Sequence, residues 1–210
     1  MTNKTLYLTY FKRIFDLLLA LFGSIFLIPF FGLIGIMVTI DSTGPVIFKQ
    51  KRVGKNGQIF TMYKFRTMLK NAEHLKEKYL NLNEADGPVF KIKDDPRFTK
   101  VGKFLSHTGI DELPQLLNII KGEMSFVGPR PLPVSEEAKI PPKIQKQRRS
   151  VNPGLVSSWL IKGAHELSFS DWMKYDVFDL ENTGFIYDFR ILIKALILEI
   201  RIFKVKLKKL

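Results

Sequence analysis

The chain of 210 residues contains no cysteine. Disulfides and thiolate metal sites are therefore excluded, and the composition fits a reducing compartment. Charge is also missing from one long stretch, since no residue from Leu17 to Ile40 carries any. No internal repeat and no low-complexity tract is present, which sets aside solenoid and linker-like architectures. The apolar stretch is too long for a signal-peptide core and lacks a small-residue cleavage site, so a cleaved leader is not expected.

What is present points elsewhere. With 46% hydrophobic residues the chain is long enough for one domain with a substantial core. A net charge of +13 and a pI near 9.8 call for an anionic partner: nucleic acid, anionic lipid or a phosphorylated substrate. The positive charge is spread over the flanks of the apolar run and the C-terminal tail, with no nucleic-acid-binding motif, so nucleic acid is not expected as a partner.

The run Leu17 to Ile40 is long enough to cross a bilayer, for which about 20 apolar residues suffice. Pro29 falls near its middle, with Gly32 and Gly35 beyond, so a kink or break is expected there. Basic residues flank both sides: Lys4, Lys12 and Arg13 before, and Lys49, Lys51, Arg52 and Lys55 after. The positive-inside tendency puts both ends on the cytoplasmic face. A simple span and a re-entrant helix that returns to the same face are equally compatible with these residues.

Val46-Ile47-Phe48 begins a strand, Gly54 to Gly57 supplies a turn, and Ile59 to Phe65 returns as the second arm of a hairpin. Period-two alternation places Phe60, Met62, Lys64 and Arg66 on one face, with the two cations as candidate phosphate ligands. Met68 to Leu82 reads as an amphipathic helix with Leu69, Ala72, Leu75 and Tyr79 on one side, and Asp86 to Phe98 as a loop. Pro133 to Gln147 and Ser168 to Glu181 read as further helices. Tyr187 to Leu210 is a basic amphipathic helix of the kind that lies in a membrane interface, with Arg190, Lys194, Arg201, Lys204, Lys206, Lys208 and Lys209.

Two adjacent acids, Asp111 and Glu112, sit between Thr108-Gly109 and an apolar run containing Leu116, Leu117, Ile119 and Ile120. Pro114 fits the first turn of a helix that Asp111 would cap and Gly122 would close. A helix N-terminus attracts anions, so a phosphate has a natural place beside the acids if a divalent cation or basic side chains join them. Further on, Arg130 is clamped between Pro129 and Pro131, which restricts its backbone and pre-places a guanidinium suited to bidentate phosphate binding.

Four motifs in order carry a resemblance. Lys12-Arg13-Ile14-Phe15-Asp16 precedes the Pro-interrupted apolar run. Tyr63-Lys64-Phe65-Arg66-Thr67-Met68, Ile110-Asp111-Glu112-Leu113-Pro114-Gln115 and Met124-Ser125-Phe126-Val127-Gly128-Pro129-Arg130-Pro131 follow. Together they resemble the bacterial sugar transferases, monotopic phosphoglycosyl transferases that act on polyprenyl phosphate. The resemblance runs from about Phe11 to Ile202, like the short catalytic unit of the family. It implies an α+β, mostly helical fold: a re-entrant membrane helix broken at Ile28-Pro29 within residues 1–41, then a cytosolic-face catalytic domain over residues 42–210 with a small β-hairpin and interfacial amphipathic helices.

The resemblance also implies a reaction. Asp111 would attack the sugar-bearing phosphate of a nucleotide sugar, most simply a UDP-sugar, and Glu112 would help to hold Mg²⁺ or Mn²⁺, with Asp111 beside it. Arg130 would hold phosphate, with Lys64 and Arg66 as further ligands. Polyprenyl (undecaprenyl) phosphate would then take the phosphosugar, the first membrane step of a surface-glycan pathway at the cytoplasmic face of the bacterial inner membrane. Downstream glycosyltransferases and a second copy of the chain are further partners that this reading allows. Phosphoryl transfer needs mainly charge neutralisation and in-line placement, and a single acidic pair with substrate phosphates is enough for a magnesium ion.

Four positions depart from the family pattern. Ser106 stands where an arginine is usual, Ser157 where a glycine is common, Leu160 for a glutamine and Ala164 for an arginine. Each lost arginine would remove roughly 1.5–3 kcal/mol of charge-assisted bonding where it contacts substrate. Lys162, His107 and His165 are candidates to compensate. The alternative reading is a catalytically weak relative that serves as a membrane scaffold in a glycan assembly complex.

Overall fold

The computed structural model describes residues 7–163 and 167–208. Lys4, Ala164, His165, Lys209 and Leu210 lie outside the described residues. After a π-helical turn at Tyr7–Phe11 the elements are α1 (Lys12–Asp41), β1 (Ile47–Val53), β2 (Ile59–Phe65), α2 (Lys100–His107), α3 (Leu116–Lys121), β3 (Ser125–Val127), α4 (Val134–Glu137), α5 (Pro142–Arg148), β4 (Gly154–Val156), α6 (Ser158–Ile161), α7 (Phe169–Asn182) and α8 (Phe185–Leu207). The fold is thus mostly helical with two small sheets. β1 and β2 form an antiparallel hairpin with Ile47 opposite Phe65, and β3 and β4 form a short parallel pair.

The expected hairpin is present, with Asn56 and Gly57 both at positive φ in its turn. Its predicted face divides along its length. Phe60 and Met62 enter a buried cluster with Ala20, Leu116, Ile119 and Met124, and Lys64 lies further along the same face. Phe65, on the opposite face, joins Ile34, Val38 and Leu105 in another cluster. Helix α1 contributes to both clusters, so one apolar stripe of it belongs to the protein core.

Helix α1 runs uninterrupted for 30 residues with Pro29 inside it, so the backbone remains helical through Ile28 and Pro29 rather than unwinding at that point. Its two ends are held by polar contacts to the rest of the domain. Lys12 pairs with buried Asp188 of α8, Arg13 donates to the carbonyls of Ile119 (2.5 Å) and Ile120 (2.7 Å), and Asp16 accepts from the Phe126 amide (3.2 Å). At the far end Asp41 accepts from the Val101 amide (2.9 Å), while Arg66 donates to the carbonyls of Val38 (3.1 Å) and Ser42 (2.6 Å).

Three local expectations are corrected. Met68 to Leu82 is not an α-helix: it is a series of turns ending in a 3-10 helix at Glu77–Leu82. The Arg97 guanidinium takes the Ala72 carbonyl (3.0 Å), the acceptor that the Lys76 amide would use in an α-helix, and Lys76 bonds Glu73 instead. Pro133 to Gln147 is split into α4 and α5, because Pro141-Pro142 lacks the amides that a continuous helix needs. Asp111 does not cap a helix. Gly109, at φ 65°, takes the N-cap position, and a 3-10 helix over Ile110–Gln115 carries both acids in its first turn. Gly122, at φ 82°, closes α3 as expected. The helix expected over Ser168–Glu181 is α7, capped by the Ser168 hydroxyl, and the basic C-terminal helix is α8.

Candidate active site

The acids are positioned by a polar residue in an apolar run. Asn118, fully buried in α3, accepts from the Tyr63 amide (3.1 Å) and donates to the Thr61 carbonyl (2.7 Å) and Glu123 (2.6 Å). In this way it pairs with the backbone of β2 as a neighbouring strand would, and it fixes Lys64 beside the 3-10 turn that bears Asp111 and Glu112. Lys64 Nζ lies 2.6 Å from Glu112 Oε1 and 3.5 Å from Asp111 Oδ2.

Arg130 arrives from the loop after β3, and that loop is pinned carbonyl by carbonyl. Pro129 accepts from the Gly154 amide (2.9 Å), Arg130 from the Arg148 guanidinium (2.7 Å), Pro131 from Arg52 (3.0 Å) and Leu132 from the Val53 amide (3.2 Å). Gly128 and Gly154 let the two backbones approach, since a Cβ on Gly154 would lie 2.1 Å from the Gly128 nitrogen. Arg148 is itself buried and paired with Asp176 of α7 and Glu137 of α4. The outcome is that Arg130 Nη2 lies 2.6 Å and Nη1 3.4 Å from the two oxygens of Glu112, a forked contact.

The two adjacent carboxyls differ in character. Burial pushes the Asp111 carboxyl up to about 6, with the Glu112 charge adding and Lys64 opposing. Burial acts on Glu112 as well, but Arg130 and then Lys64 outweigh it and hold that carboxyl well below the usual range. Glu112 is therefore a fixed anion tied to two cations. Asp111, only 5% exposed, has one cationic contact among the described residues, at 3.5 Å, and is the freer group. For a hard divalent cation the pair offers two neighbouring carboxylates, and among the described residues no cluster of three His, Cys, Asp or Glu is formed. That donor set fits magnesium in ligand chemistry and number when substrate phosphates supply the remaining oxygens.

The structure therefore brings together four of the predicted residues: Asp111, Glu112, Lys64 and Arg130. Arg66 is not among them, because its bonds go to the carbonyls at the end of α1. His107 binds the Lys93 carbonyl (2.9 Å) and Lys206 (3.1 Å), joining α2 to α8, and Lys162 is exposed. Two neighbours of the site were not singled out from sequence. Lys91, on the loop before α2, feels the charges of Arg130, Glu112 and Lys64. Glu199 of α8 points at Gly109: a Cβ there would lie 3.1 Å from Glu199 Oε2, and burial followed by the charges of Glu112 and Asp111 pushes its carboxyl up to about 7. Its legible signal is an acid standing alone within a basic, apolar stretch.

Residues 7–201 match the model of the bacterial sugar transferase family. The chain is 41% identical over 193 residues to the galactosyl transferase CpsE of Streptococcus agalactiae, covering 88% of this chain and 41% of that protein. It is 36% identical to the exopolysaccharide production protein ExoY of Sinorhizobium fredii, covering 88% of this chain and 83% of the relative. With the undecaprenyl-phosphate galactose phosphotransferase of Salmonella typhimurium the identity is 34%, covering 88% and 39% respectively. The chain thus spans about two fifths of the length of two of these relatives and most of the third. A match over nearly the whole chain, meeting at a buried acid pair between a lysine and an arginine, leads to one conclusion: the chain belongs to the bacterial sugar transferase family.

Proposed function

We propose that the protein transfers a phosphosugar from a nucleotide sugar, a UDP-sugar in the first instance, to polyprenyl phosphate. The observation that carries this reading is the division of labour in the acid pair. Glu112 is neutralised by Lys64 and Arg130, while the adjacent Asp111 is buried and less tightly held. A carboxylate in that position is an activated nucleophile. An Asp111 oxygen attacks the phosphorus that bears the sugar, and the bridging P–O bond breaks with its electron pair leaving on the nucleoside monophosphate. A phosphate oxygen of the polyprenyl acceptor then attacks the same phosphorus and frees the carboxylate. Lys64 and Arg130 neutralise the charge that builds on the phosphoryl oxygens. Glu112, with Asp111, would hold a magnesium ion, which supplies further charge neutralisation at the donor phosphates.

The setting at a membrane follows from α1. As a straight rod its 30 residues would measure about 45 Å, more than the roughly 30 Å of a bilayer core. Yet both ends are tied to the same domain, Lys12, Arg13 and Asp16 at one and Val38 and Asp41 at the other. Exposed apolar side chains concentrate between them, at Leu21, Phe22, Ile25, Phe26, Ile28 and Phe30. This pattern supports a helix that dips into one leaflet and returns over a span with its ends on opposite faces. Exposed Ile186, Phe189, Ile193, Leu196 and Ile200 on α8 give a second apolar surface for the same leaflet. The acids would then sit at the level where a polyprenyl phosphate presents its headgroup, and the basic flanks of α1 support the cytoplasmic side of the inner membrane.

The test is a nucleotide-release assay in nanodiscs with Mg²⁺, polyprenyl phosphate and a panel of nucleotide sugars, run beside Asp111→Asn. Nucleoside monophosphate released by the wild type alone supports the reading. Equal release by Asp111→Asn removes the covalent mechanism, and silence of the wild type across the panel removes the transferase.

A further inference from the structure

The outer face of α7 carries a stripe that the fold leaves open. Lys174, Phe178 and Glu181 are exposed and Val177 is half-buried, and their spacing along the helix puts all four on one side. Phe178, at 51%, is the most exposed large hydrophobic side chain of α7. The stripe forms one wall of a mainly apolar groove of about 790 Å³, with Ile144 of α5 and Gly87 of the loop before α2 on its other sides. Those other sides are held in place. The Phe169 amide donates to Asp86 Oδ1 (2.7 Å), and Gly87, at φ 66°, lies so near the Phe169 ring that a Cβ would meet it at 2.8 Å. Phe178 is steadied by the Tyr187 ring, edge-on at 6.4 Å, and the Tyr187 hydroxyl donates to Asp179 (2.5 Å). A preformed groove beside a held aromatic ring has the make-up of a protein-binding surface.

The order of charges points to the occupant. Lys174 and Glu181 stand at the two ends of the stripe, equally far from its centre between Val177 and Phe178. A second α7 laid antiparallel across this one, about a two-fold axis at that centre, brings each Lys174 to Glu181 of the other copy and each Val177 to Phe178. The stripe is thus complementary to itself, as an isologous interface requires. The bond from Lys174 to Asp171 is an exposed pair that holds the lysine only weakly, so Lys174 can make the new contact. A lipid chain would fill the groove but leave both charges unused. We infer that α7 is a homodimer interface, in which the ridge bearing Phe178 of each copy fills the groove of the other and two Lys174–Glu181 pairs fix the register. The inner face of the same helix carries Asp176, the partner of Arg148 beneath the Arg130 loop, so the pairing braces the support of the candidate active site. The interface itself does not depend on the transfer reaction.

The experiment uses the full chain in lipid vesicles, and the lack of native cysteine makes it direct. Helices packed about 8–10 Å apart bring residues beside the axis within disulfide range. Val177→Cys should therefore oxidise to a species of twice the chain mass, whereas Leu80→Cys, exposed on the 3-10 helix at Glu77–Leu82, should not. In the Val177→Cys background, Lys174→Glu or Glu181→Lys turns both attractions into repulsions, and cross-linking should fall about tenfold or more. Combining the two reversals should restore it. These positions lie about 10 Å apart along α7, too far to compensate one another within a chain, so recovery reports a contact between copies. No cross-link through Val177→Cys, an equal cross-link through Leu80→Cys, single reversals without effect, or a double reversal without recovery would each overturn the inference. An adduct of any other mass would assign the groove to a different partner and overturn it too. Should a reversal variant not fold, the comparison of Val177→Cys with Leu80→Cys, which leaves both charges in place, decides alone.

Discussion

Arg148 offers the sharpest separation of stability from chemistry. Its guanidinium is buried against Asp176 and Glu137, of which Asp176 is fully buried, and it donates to the carbonyl of Arg130 at 2.7 Å. Arg148→Met leaves the Asp176 carboxylate buried without its cation, whereas Glu137 keeps Arg149 at 3.1 Å. Removing one partner of a buried pair costs about 3–5 kcal/mol. For a chain of this size that lowers the melting temperature by roughly 6 to 20 °C. Replacing both members, Arg148→Met with Asp176→Leu, removes the orphaned charge and should return most of the stability. Activity should not return with it, because the Arg130 carbonyl still lacks its clamp and the guanidinium is free to shift by fractions of an ångström. A donor KM about tenfold above wild type in the refolded double variant is expected. Urea unfolding in detergent micelles supplies the first reading and nucleotide release the second. The reasoning fails if Arg148→Met lies within about 1 kcal/mol of wild type. It also fails if the double variant recovers both stability and donor affinity.

Two further outcomes follow from the geometry. With Asp111 pushed up to about 6, the reactive carboxylate form is depleted as the pH falls below that value. Single-turnover release of nucleotide, measured without acceptor so that the acceptor phosphate does not titrate in the same range, should decline below pH 6 and level off above it; a midpoint near the ordinary aspartate value would contradict the buried nucleophile. The absence of native cysteine makes the topology of α1 directly testable. Tyr10→Cys and Thr43→Cys, both just outside α1, should react with a membrane-impermeant maleimide from the same side of inverted vesicles, and labelling from opposite sides would establish a span.

Much of the site was legible because its signals are local. The Asp111-Glu112 pair before Pro114, Arg130 between two prolines and Lys64 on an alternating strand are all short-range patterns, and the structure unites them. Local reading failed where a distant side chain took over a backbone group. Arg97 claims the Ala72 carbonyl, and turns replace the helix expected over 68–82. The cap was misread for a local reason, since Gly109, two residues before Asp111, takes the positive φ there. Arg66 was read as sharing the face of Lys64, yet it lies just past the end of β2 and its guanidinium bonds the carbonyls at the end of α1 instead of reaching the acids.

By itself the sequence determined the membrane-length apolar helix, the hairpin, the basic C-terminal helix and the acid pair, since each depends on the order of residues within a few turns of chain. Only the tertiary structure decided which cations meet the acids. Asn118 ties β2 to α3 and the Arg148–Asp176 pair holds the Arg130 loop, and both join segments whose separation in sequence hides their contact. The physical reason is that a buried polar group must find a partner wherever the packed chain supplies one, and that place is set by the whole fold rather than by neighbours in sequence.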